Sequence, residues 1–260
     1  MISILRSAER HHEGHDDSGT WGSFASGTSL GALAQLEEQR LEPGAGSWSW
    51  RGNGELVTYV CNGSMAFEDS LGGVGVLRAS DVQVIGGGNA AWVVRNASKS
   101  DWARGFQLTF DLPPATRVTA REQRRFGATE RREHLHLITA FEANSASLRT
   151  RALARIYSGV LGAGRHVVHE LLAGHSAWLQ VVDGECRLNE ATLVAGDGAS
   201  FVQELTVSLT ARRPSEVLLV EVFPRKPWVT GRRQRPRGAH RAELSHLRRE
   251  LRGAAIAASM

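Results

Sequence analysis

The sequence predicts an all-β protein made of two stacked jelly-roll barrels, and two observations lead to this prediction. Short runs of β-branched and aromatic residues, bounded by Gly, Asn, Asp and Pro, recur through the chain. Short strands separated by turn residues in this way are typical of β-sandwiches and β-barrels. A set of landmarks also occurs twice in the same order, as two barrels in one chain require. The predicted strands are 56–60, 82–85, 105–110, 166–172, 177–182, 205–209 and 217–222.

The repeated landmarks are a strand that ends in a turn, an acidic turn before a strand, and a closing strand that reaches a proline. Their order is the same in both halves, and only the lengths of the loops between them differ. In first-half and second-half pairs, the landmarks are Cys61-Asn62-Gly63 with Val182-Asp183-Gly184, Asp81 with Asp197, and Pro113 with Pro224.

These landmarks also predict where the domains lie. We expect the first barrel in residues 1–114, a linker with the start of the second barrel in 115–150, the second barrel in 151–224 and an extension in 225–260. Closing sheets into barrels removes exposed strand edges and leaves one cavity in each barrel.

The extension has an unusual charge. Residues 225–260 contain ten Lys or Arg and two Glu, a formal charge of +8, and since the whole chain carries +4, residues 1–224 carry −4. No aromatic residue lies among the arginines of 232–252, as stacking on bases would need. A solvated extension is therefore favoured, while a basic arm for nucleic acid or an acidic partner stays open. A short helix is expected at Leu244, Leu247 and Leu251, ended by Gly253.

Composition predicts a globular, cytoplasmic protein. Hydrophobic residues make up 42% and charged residues 22% of the chain, both ordinary for globular domains. No apolar run is long enough to span a membrane, and the first residues lack a long apolar signal segment. Cys61 and Cys186 fall in different predicted barrels, which predicts two free thiols.

Two stretches resemble the two halves of the first-barrel metal site in the pirin-like bicupin family, which includes quercetin-cleaving dioxygenases. They are residues 44–63, GAGSWSWRGNGELVTYVCNG, and residues 81–98, DVQVIGGGNAAWVVRNAS. Residues 67–72 (FEDSLG), 121–126 (REQRRF) and 178–184 (WLQVVDG) are also similar to family segments. The resemblance extends nearly from the start of the chain to Pro224 and implies two stacked cupin barrels.

The resemblance also implies that the metal ligands of this family have been replaced. The family carries His-x-His with a Glu four residues later, and then His-x-Glu after a glycine-rich turn. Counted from Glu55 and from the turn at 86–88, the ligand positions fall on Ser49, Arg51, Trp92 and Val94. None of these side chains supplies the imidazole or carboxylate that a divalent oxygenase metal needs. We therefore predict a degenerate site with no metal, no cofactor and no catalytic residue.

The residues around this position suggest either a pocket or a plug. Trp48, Trp50 and Trp92 could line a pocket for a small aromatic ligand, or they could fill the space that the metal left. Arg51 and Glu55 are four residues apart on one predicted strand, so we expect them to share a face and to form a buried ion pair.

Other metal and nucleophile signals are weak. Three groups of histidines are interpreted as structural, because no convergent set of ligands surrounds them. The sequence has neither a Gly-x-Ser-x-Gly elbow nor a Walker-type phosphate loop. The histidine groups are His11, His12 and His15, then His134 and His136, and finally His166, His169 and His175.

Three functional hypotheses follow. The protein is a bicupin without a metal that binds a small molecule or acts as a regulator, a quercetinase-like dioxygenase, or a nucleic-acid-associated regulator that uses the basic extension. Metal content distinguishes the first from the second. Salt dependence identifies the third, because phosphate contacts weaken steeply as ionic strength rises.

Overall fold

The computed structural model describes residues 1–15, 18–44, 47–52, 54–70, 72–86, 90–112 and 120–224. For residues 47, 48, 50, 51, 90 and 120 it describes the backbone alone. The basic extension, with its expected helix, lies outside the described residues. In the described part of the chain, the single helix is a 3-10 turn at Ser7–Glu9, and no helix is long and apolar enough to cross a membrane.

The rest of the regular structure is β-strand. In chain order the strands are β1 (Ile2–Leu5), β2 (His11–His15), β3 (Ser18–Gly22), β4 (Leu33–Leu41), β5 (Ser47–Gly52), β6 (Glu55–Asn62), β7 (Ser64–Asp69), β8 (Val74–Arg78), β9 (Asp81–Gly86), β10 (Ala90–Asn96), β11 (Ala103–Phe110), β12 (Ala120–Arg125), β13 (His136–Ala140), β14 (Leu148–Arg149), β15 (Ala154–Leu161), β16 (His166–Glu170), β17 (Ser176–Asp183), β18 (Glu185–Leu188), β19 (Ala191–Val194), β20 (Gly198–Val202), β21 (Thr206–Ala211) and β22 (Ser215–Val222).

Each barrel pairs a seven-stranded sheet with a four-stranded sheet. In the first barrel the strand orders are β12-β9-β6-β11-β4-β3-β2 and β5-β10-β7-β8. In the second barrel they are β1-β20-β17-β22-β15-β13-β14 and β16-β21-β18-β19. The strands pair antiparallel except for β13 with β14. The prediction of an all-β protein with two stacked barrels is confirmed.

Two strands lie in the other half from the one expected. The N-terminal strand β1 pairs with β20, so it extends the large sheet of the second barrel and not that of the first. Strand β12, expected in the linker, pairs with β9 and extends the large sheet of the first barrel. In both cases the added strand covers an edge that would otherwise present unpaired backbone groups.

Strand β6 shows how the cores are arranged, because all residues from Glu55 to Val60 are buried and alternate between two cores. Leu56 and Val60 face the interior of the first barrel, where they pack with Met65, Phe67, Leu77 and Trp92. Val57 and Tyr59 face the other way and pack between the two large sheets, against Ile156, Leu218 and Val220 of the second barrel. The two barrels therefore share one apolar layer.

The glycine that ends the turn after β6 in the first barrel, and after β17 in the second, is required for steric reasons. Gly63 and Gly184 both have positive φ, 68° and 81°. A Cβ on either residue would collide with a backbone carbonyl oxygen, that of Trp102 or of Pro214. Only glycine adopts a positive φ readily and has no Cβ to collide with the carbonyl oxygen, so glycine recurs at the same point of each barrel. The two cysteines are free thiols, as predicted, and burial raises the pKa of Cys61 to about 12.

One buried carboxylate organises the edge of the first large sheet. Glu38 has no exposed side-chain surface and accepts from Arg10 at 2.6 Å, Arg40 at 2.7 Å and Arg104 at 2.6 Å. Burial alone would raise the pKa of Glu38. The charge of Arg104, the hydrogen bond from Arg40 and the charge of Arg10 outweigh burial and lower that pKa to about 2.

Candidate functional site

The register between β5 and β10 decides which residues face the interior of the first barrel. Trp92 pairs with Trp50 and Val94 with Trp48, whereas Ser49 pairs with Val93. Residues directly opposite each other in an antiparallel pair share a face. Trp92 and Val94 are fully buried in the barrel core, whereas Ser49 is exposed.

The expected set of ligand positions is therefore wrong by one residue in its first half. Ser49 and Arg51 alternate with positions 48 and 50, so they fall on the opposite face of the sheet from Trp92 and Val94. The positions that share the inner face with Trp92 and Val94 are Trp48 and Trp50. The side chains of Trp48, Trp50 and Arg51 lie outside the described residues.

A break in the chain explains this error. Counting back from Glu55 assumed one continuous strand, but β5 ends at Gly52 and β6 begins at Glu55 in a different sheet. The alternation of faces does not continue across such a break. For the same reason, Arg51 and Glu55 do not share a face of one strand, and the argument for their ion pair is lost.

Glu55 is not a pocket residue of the first barrel. It alternates with Leu56, faces the second barrel and is 2% exposed. Its carboxylate accepts hydrogen bonds from the Thr150 hydroxyl and from the backbone N–H groups of Arg151 and Ala152, the last at 3.3 Å. Burial raises the pKa of Glu55, although these hydrogen bonds oppose the change.

Trp92 forms part of an apolar wall on the small sheet. Its ring stacks on Phe67 with the centroids 4.6 Å apart and the planes inclined by 16°. Met65, Leu77 and Val94 complete the buried apolar surface on this side. A wall of this kind suits the flat face of a small ligand.

The large sheet presents a polar row to the same interior. Gln107, Thr58 and Gln83 are directly opposite one another on β11, β6 and β9, and all three are at most 1% exposed. The Thr58 hydroxyl donates to Gln107 Oε1 at 2.7 Å, and Gln83 Nε2 donates to Oε1 of the exposed Gln123 at 3.4 Å. The row therefore runs from the edge strand β12 into the middle of the barrel.

Four buried polar atoms in this interior have no hydrogen-bond partner among the described residues: Gln39 Nε2, Gln83 Oε1, Trp92 Nε1 and Gln107 Nε2. This polar row was not predicted from the sequence. The signal was there, because Thr58 interrupts the apolar run of β6, and Gln83 and Gln107 interrupt those of β9 and β11. A buried strand with a polar residue at its centre indicates a polar interior.

The second barrel is different. Its interior is filled by apolar side chains such as Leu179, Val181, Phe201, Val217 and Leu219. It resembles an ordinary protein core and not a binding chamber.

Polar groups near the second barrel gather around Glu221. His175 Nδ1 lies 2.6 Å and His169 Nε2 3.4 Å from this carboxylate. Burial would raise the pKa of Glu221, but the hydrogen bonds and charges of the two histidines outweigh burial and lower it.

The other predicted histidine groups lie apart from the first-barrel interior. His11 and His15 are exposed on β2, and His12 stacks on Trp21 with ring centroids 4.3 Å apart. The rings of His134 and His136 are 5.8 Å apart. Within the described ranges, no three His, Cys, Asp or Glu side chains are grouped so that they could hold a metal ion.

Comparison with known proteins gives consistent matches. The family model described as the quercetinase C-terminal cupin domain matches residues 137–222. A quercetin 2,3-dioxygenase of Escherichia coli is 26% identical over 234 residues, which cover 86% of this chain and 100% of that protein. A putative quercetin 2,3-dioxygenase of Pseudomonas aeruginosa is 32% identical over 174 residues, which cover 65% of this chain and 73% of that protein.

Solved structures agree with the sequence matches. The crystal structure of YhhW from Escherichia coli superposes with a TM-score of 0.77 at 26% identity and covers 88% of this chain and 100% of that chain. The structure of bacterial pirin YhhW in complex with nickel(II) gives a TM-score of 0.76 at 26% identity over 86% of this chain and 100% of that chain.

Proposed function

This chain belongs to the pirin-like bicupin family, and we propose that it is a non-catalytic member that holds no metal and binds a small molecule in its first barrel. The observation that carries the proposal is the identity of the inner-face residues on β5 and β10. In the register of these strands they are Trp48, Trp50, Trp92 and Val94.

These residues do not fit a divalent metal. A transition metal in a site of this type takes imidazole nitrogens and carboxylate oxygens as ligands. The indole N–H is a donor only, and valine has no donor or acceptor atom in its side chain. A relative of known structure binds nickel(II), but the inner face of this barrel does not offer the same chemistry.

Loss of the metal would remove oxygenase activity. In metal-dependent oxygenases, the metal polarises and activates the reactants, and no described side chain in this barrel could take over that role. The competing hypothesis, a quercetinase-like dioxygenase, is supported by the names of the relatives. It requires a metal bound by residues other than those on the inner face.

Binding of a small molecule is supported by the two unlike walls of the first barrel. One wall is apolar and contains the stacked pair Trp92 and Phe67. The other carries the buried polar row of Gln107, Thr58 and Gln83. Ligand sites commonly combine an apolar lining with a few polar groups that orient the ligand.

Metal analysis combined with a turnover assay tests the proposal. The purified protein is incubated with nickel(II) or iron(II), desalted and analysed by mass spectrometry for bound metal, with the nickel-binding relative from Escherichia coli as the positive control. Oxygen uptake and loss of flavonol absorbance are then followed with quercetin. We expect neither stoichiometric metal nor cleavage. One metal per chain together with cleavage that a chelator abolishes would favour the dioxygenase.

A further inference from the structure

The unpartnered atoms in the first barrel have no partner among the described residues and would be satisfied by a bound molecule. Buried polar groups in folded proteins are almost always hydrogen-bonded, and an exception calls for a water or a ligand. Gln39, Gln83, Trp92 and Gln107 are each at most 1% exposed, and each leaves one polar atom without a partner in the part of the chain that the structure describes. By register and packing, all four are on the inner face of this one barrel.

One buried amide of the second barrel shows what a satisfied glutamine looks like in this protein. Gln180, on the large sheet of that barrel, is also fully buried. It accepts from Trp178 Nε1 at 3.3 Å and donates to the carbonyl oxygens of Val181 at 3.3 Å and Asp197 at 3.0 Å. Gln180 shares the face of Trp178 and Val182, between the large sheets, whereas the amides of Gln39, Gln83 and Gln107 face the first-barrel interior and are only half used.

The existing hydrogen bonds determine what a ligand must offer. Thr58 occupies the oxygen of Gln107, which leaves the Gln107 N–H group as a free donor. Gln123 occupies the nitrogen of Gln83, which leaves the Gln83 oxygen as a free acceptor. These two residues lie two strands apart, about 10 Å between backbones. A ligand across Thr58 would present an acceptor to Gln107 and a donor to Gln83.

The ligand should also be uncharged. Among the described side chains, no Lys, Arg or His bonds to Gln107, Thr58 or Gln83, and an acidic residue, Glu37, is directly opposite Gln107 on β4. Asp69, beside Trp92 on the small sheet, is already paired with Arg121 at 2.7 Å. The Arg121 guanidinium lies 5.6 Å from the Phe67 ring but is bonded to Asp69, so an anionic ligand would find no unpaired cation there among the described side chains, which is strongly unfavourable.

We propose that the row of Gln107, Thr58 and Gln83 is the hydrogen-bonding subsite for a small, flat, uncharged ligand that carries carbonyl oxygens next to an N–H or O–H group. A carbonyl oxygen of the ligand accepts from Gln107, and the ligand N–H or O–H donates to Gln83. The flat face lies along the apolar wall of Phe67 and Trp92. This inference rests on the proposed function of the first barrel as a small-molecule site.

A set of three matched probes tests the chemistry. Uracil is flat and uncharged and has two carbonyl oxygens and two N–H groups; 1,3-dimethyluracil lacks the N–H groups, and orotate adds a carboxylate. Binding to the full-length protein is measured by ligand-observed NMR and calorimetry. We expect uracil to bind and both analogues to bind at least tenfold more weakly. Equal binding of orotate and uracil would contradict an uncharged site.

Variants test the location. Gln107→Leu and Gln83→Leu keep the approximate volume and remove one polar partner each, so each should weaken uracil binding at least tenfold. Thr139→Val is the control, because Thr139 Oγ1 is also buried and unpartnered but lies on β13, outside the first barrel. It should leave binding unchanged. Equal binding by all three variants would overturn the assignment.

A high-resolution crystal structure with uracil, and native mass spectrometry of the protein as purified, complete the test. Water alone along the row, with no uracil binding and no co-purified molecule, would refute the inference. The metal and turnover assays separate this result from a failure of the proposed function. A protein without metal or activity that also binds no probe refutes the subsite alone, whereas stoichiometric metal with flavonol cleavage refutes the proposed function.

Discussion

The carboxylate of Glu55 accepts a hydrogen bond from the hydroxyl of Thr150, and this contact joins the first barrel to the second. Glu55 begins β6, and Thr150 directly follows β14. The backbone N–H groups of Arg151 and Ala152 bond to the same carboxylate, so one buried side chain satisfies three donors of the other barrel. The residue that resembles part of a metal motif in sequence is an inter-barrel contact in the structure.

Replacement of Glu55 should destabilise the whole protein. In Glu55→Leu, the N–H groups of Arg151 and Ala152 lose this acceptor inside a buried contact, so we expect unfolding to need about 3 kcal/mol less. Urea denaturation followed by intrinsic fluorescence measures this change. Glu68→Gln, on the exposed face of β7, is the control and should change stability by less than about 0.5 kcal/mol. A similar small effect for both variants would show that the contact has no energetic role.

The buried Glu38 cluster predicts a specific acid sensitivity. The folded-state pKa of Glu38 is lowered from 4.5 to about 2. Its stabilising contribution is therefore complete above pH 4.5 and is lost as the pH falls from 4.5 through 2, by an amount on the order of 3 kcal/mol.

The variant Glu38→Gln isolates this contribution, because it cannot ionise. Free energies of unfolding for the two proteins should differ most near pH 7, and the difference should shrink as the pH falls below 4.5. A constant difference from pH 7 to pH 3 would mean that the carboxylate charge does not stabilise the cluster.

The register of β5 and β10 predicts which substitutions could restore a metal site. The quadruple variant Trp48→His, Trp50→His, Trp92→His and Val94→Glu puts three imidazoles and a carboxylate on one face. It should bind nickel(II) in calorimetric titration, at least tenfold more tightly than the wild type.

A register-shifted variant is the matched control for this experiment. Ser49→His, Arg51→His, Trp92→His and Val94→Glu introduce the same four ligands, but two of them are on the opposite face. This variant should bind nickel no better than a variant with Trp92→His and Val94→Glu alone. Equal nickel affinity of the two quadruple variants would show that the register assignment is wrong.

Polar groups of the two barrels should respond differently to the same substitution. Gln180→Leu removes three hydrogen bonds and leaves the buried Trp178 Nε1 without its acceptor, so it should cost about 2 kcal/mol, although the Asp197 and Val181 oxygens keep the donors Val181 N–H and Gly196 N–H. Gln83→Leu removes an amide whose oxygen has no partner, and without ligand it should cost less than about 0.5 kcal/mol or stabilise the fold. Thermal and urea unfolding measure both. A larger loss for Gln83→Leu would indicate that its oxygen is already well bonded.

The basic extension makes a separate prediction. Strand β22 ends at Val222, so a chain that stops at Pro224 retains every strand described. Since residues 225–260 carry +8 and the rest −4, truncation should change the isoelectric point from basic to acidic. It should also abolish any salt-sensitive binding to DNA or RNA in gel-shift assays. Binding that survives truncation would place the contact on the barrels.

The sequence predicted the fold well because the relevant signals are local or repeated. Strand patterns and the duplicated turns at Gly63 and Gly184 depend on alternation and on backbone sterics, which can be read from neighbouring residues. The pairing of β1 with β20 could not be read in this way, since it joins residues from opposite ends of the described chain.

The candidate site was predicted less well, and the reason is a break in the chain. Whether Ser49 or Trp48 faces the interior depends on the path of the backbone between Gly52 and Glu55, where the chain leaves one sheet and enters another. If this connection is one residue longer or shorter than assumed, every residue of β5 is assigned to the wrong side of the sheet. Similarly, the row formed by Gln107, Thr58 and Gln83 brings together three distant segments, and only the strand order makes them neighbours.

Strand β1 has a consequence for how the protein is made. Its partner β20 lies almost at the other end of the described chain, so during translation β1 emerges long before the strand that completes its hydrogen bonds. Until then its backbone groups are available to any other exposed strand edge, including one on a second nascent chain. The order of synthesis therefore favours the first barrel as an early folding unit and delays the completed edge of the second barrel. A bulky fusion placed just before β1 would therefore hinder completion of the second barrel, although it is attached next to the start of the first.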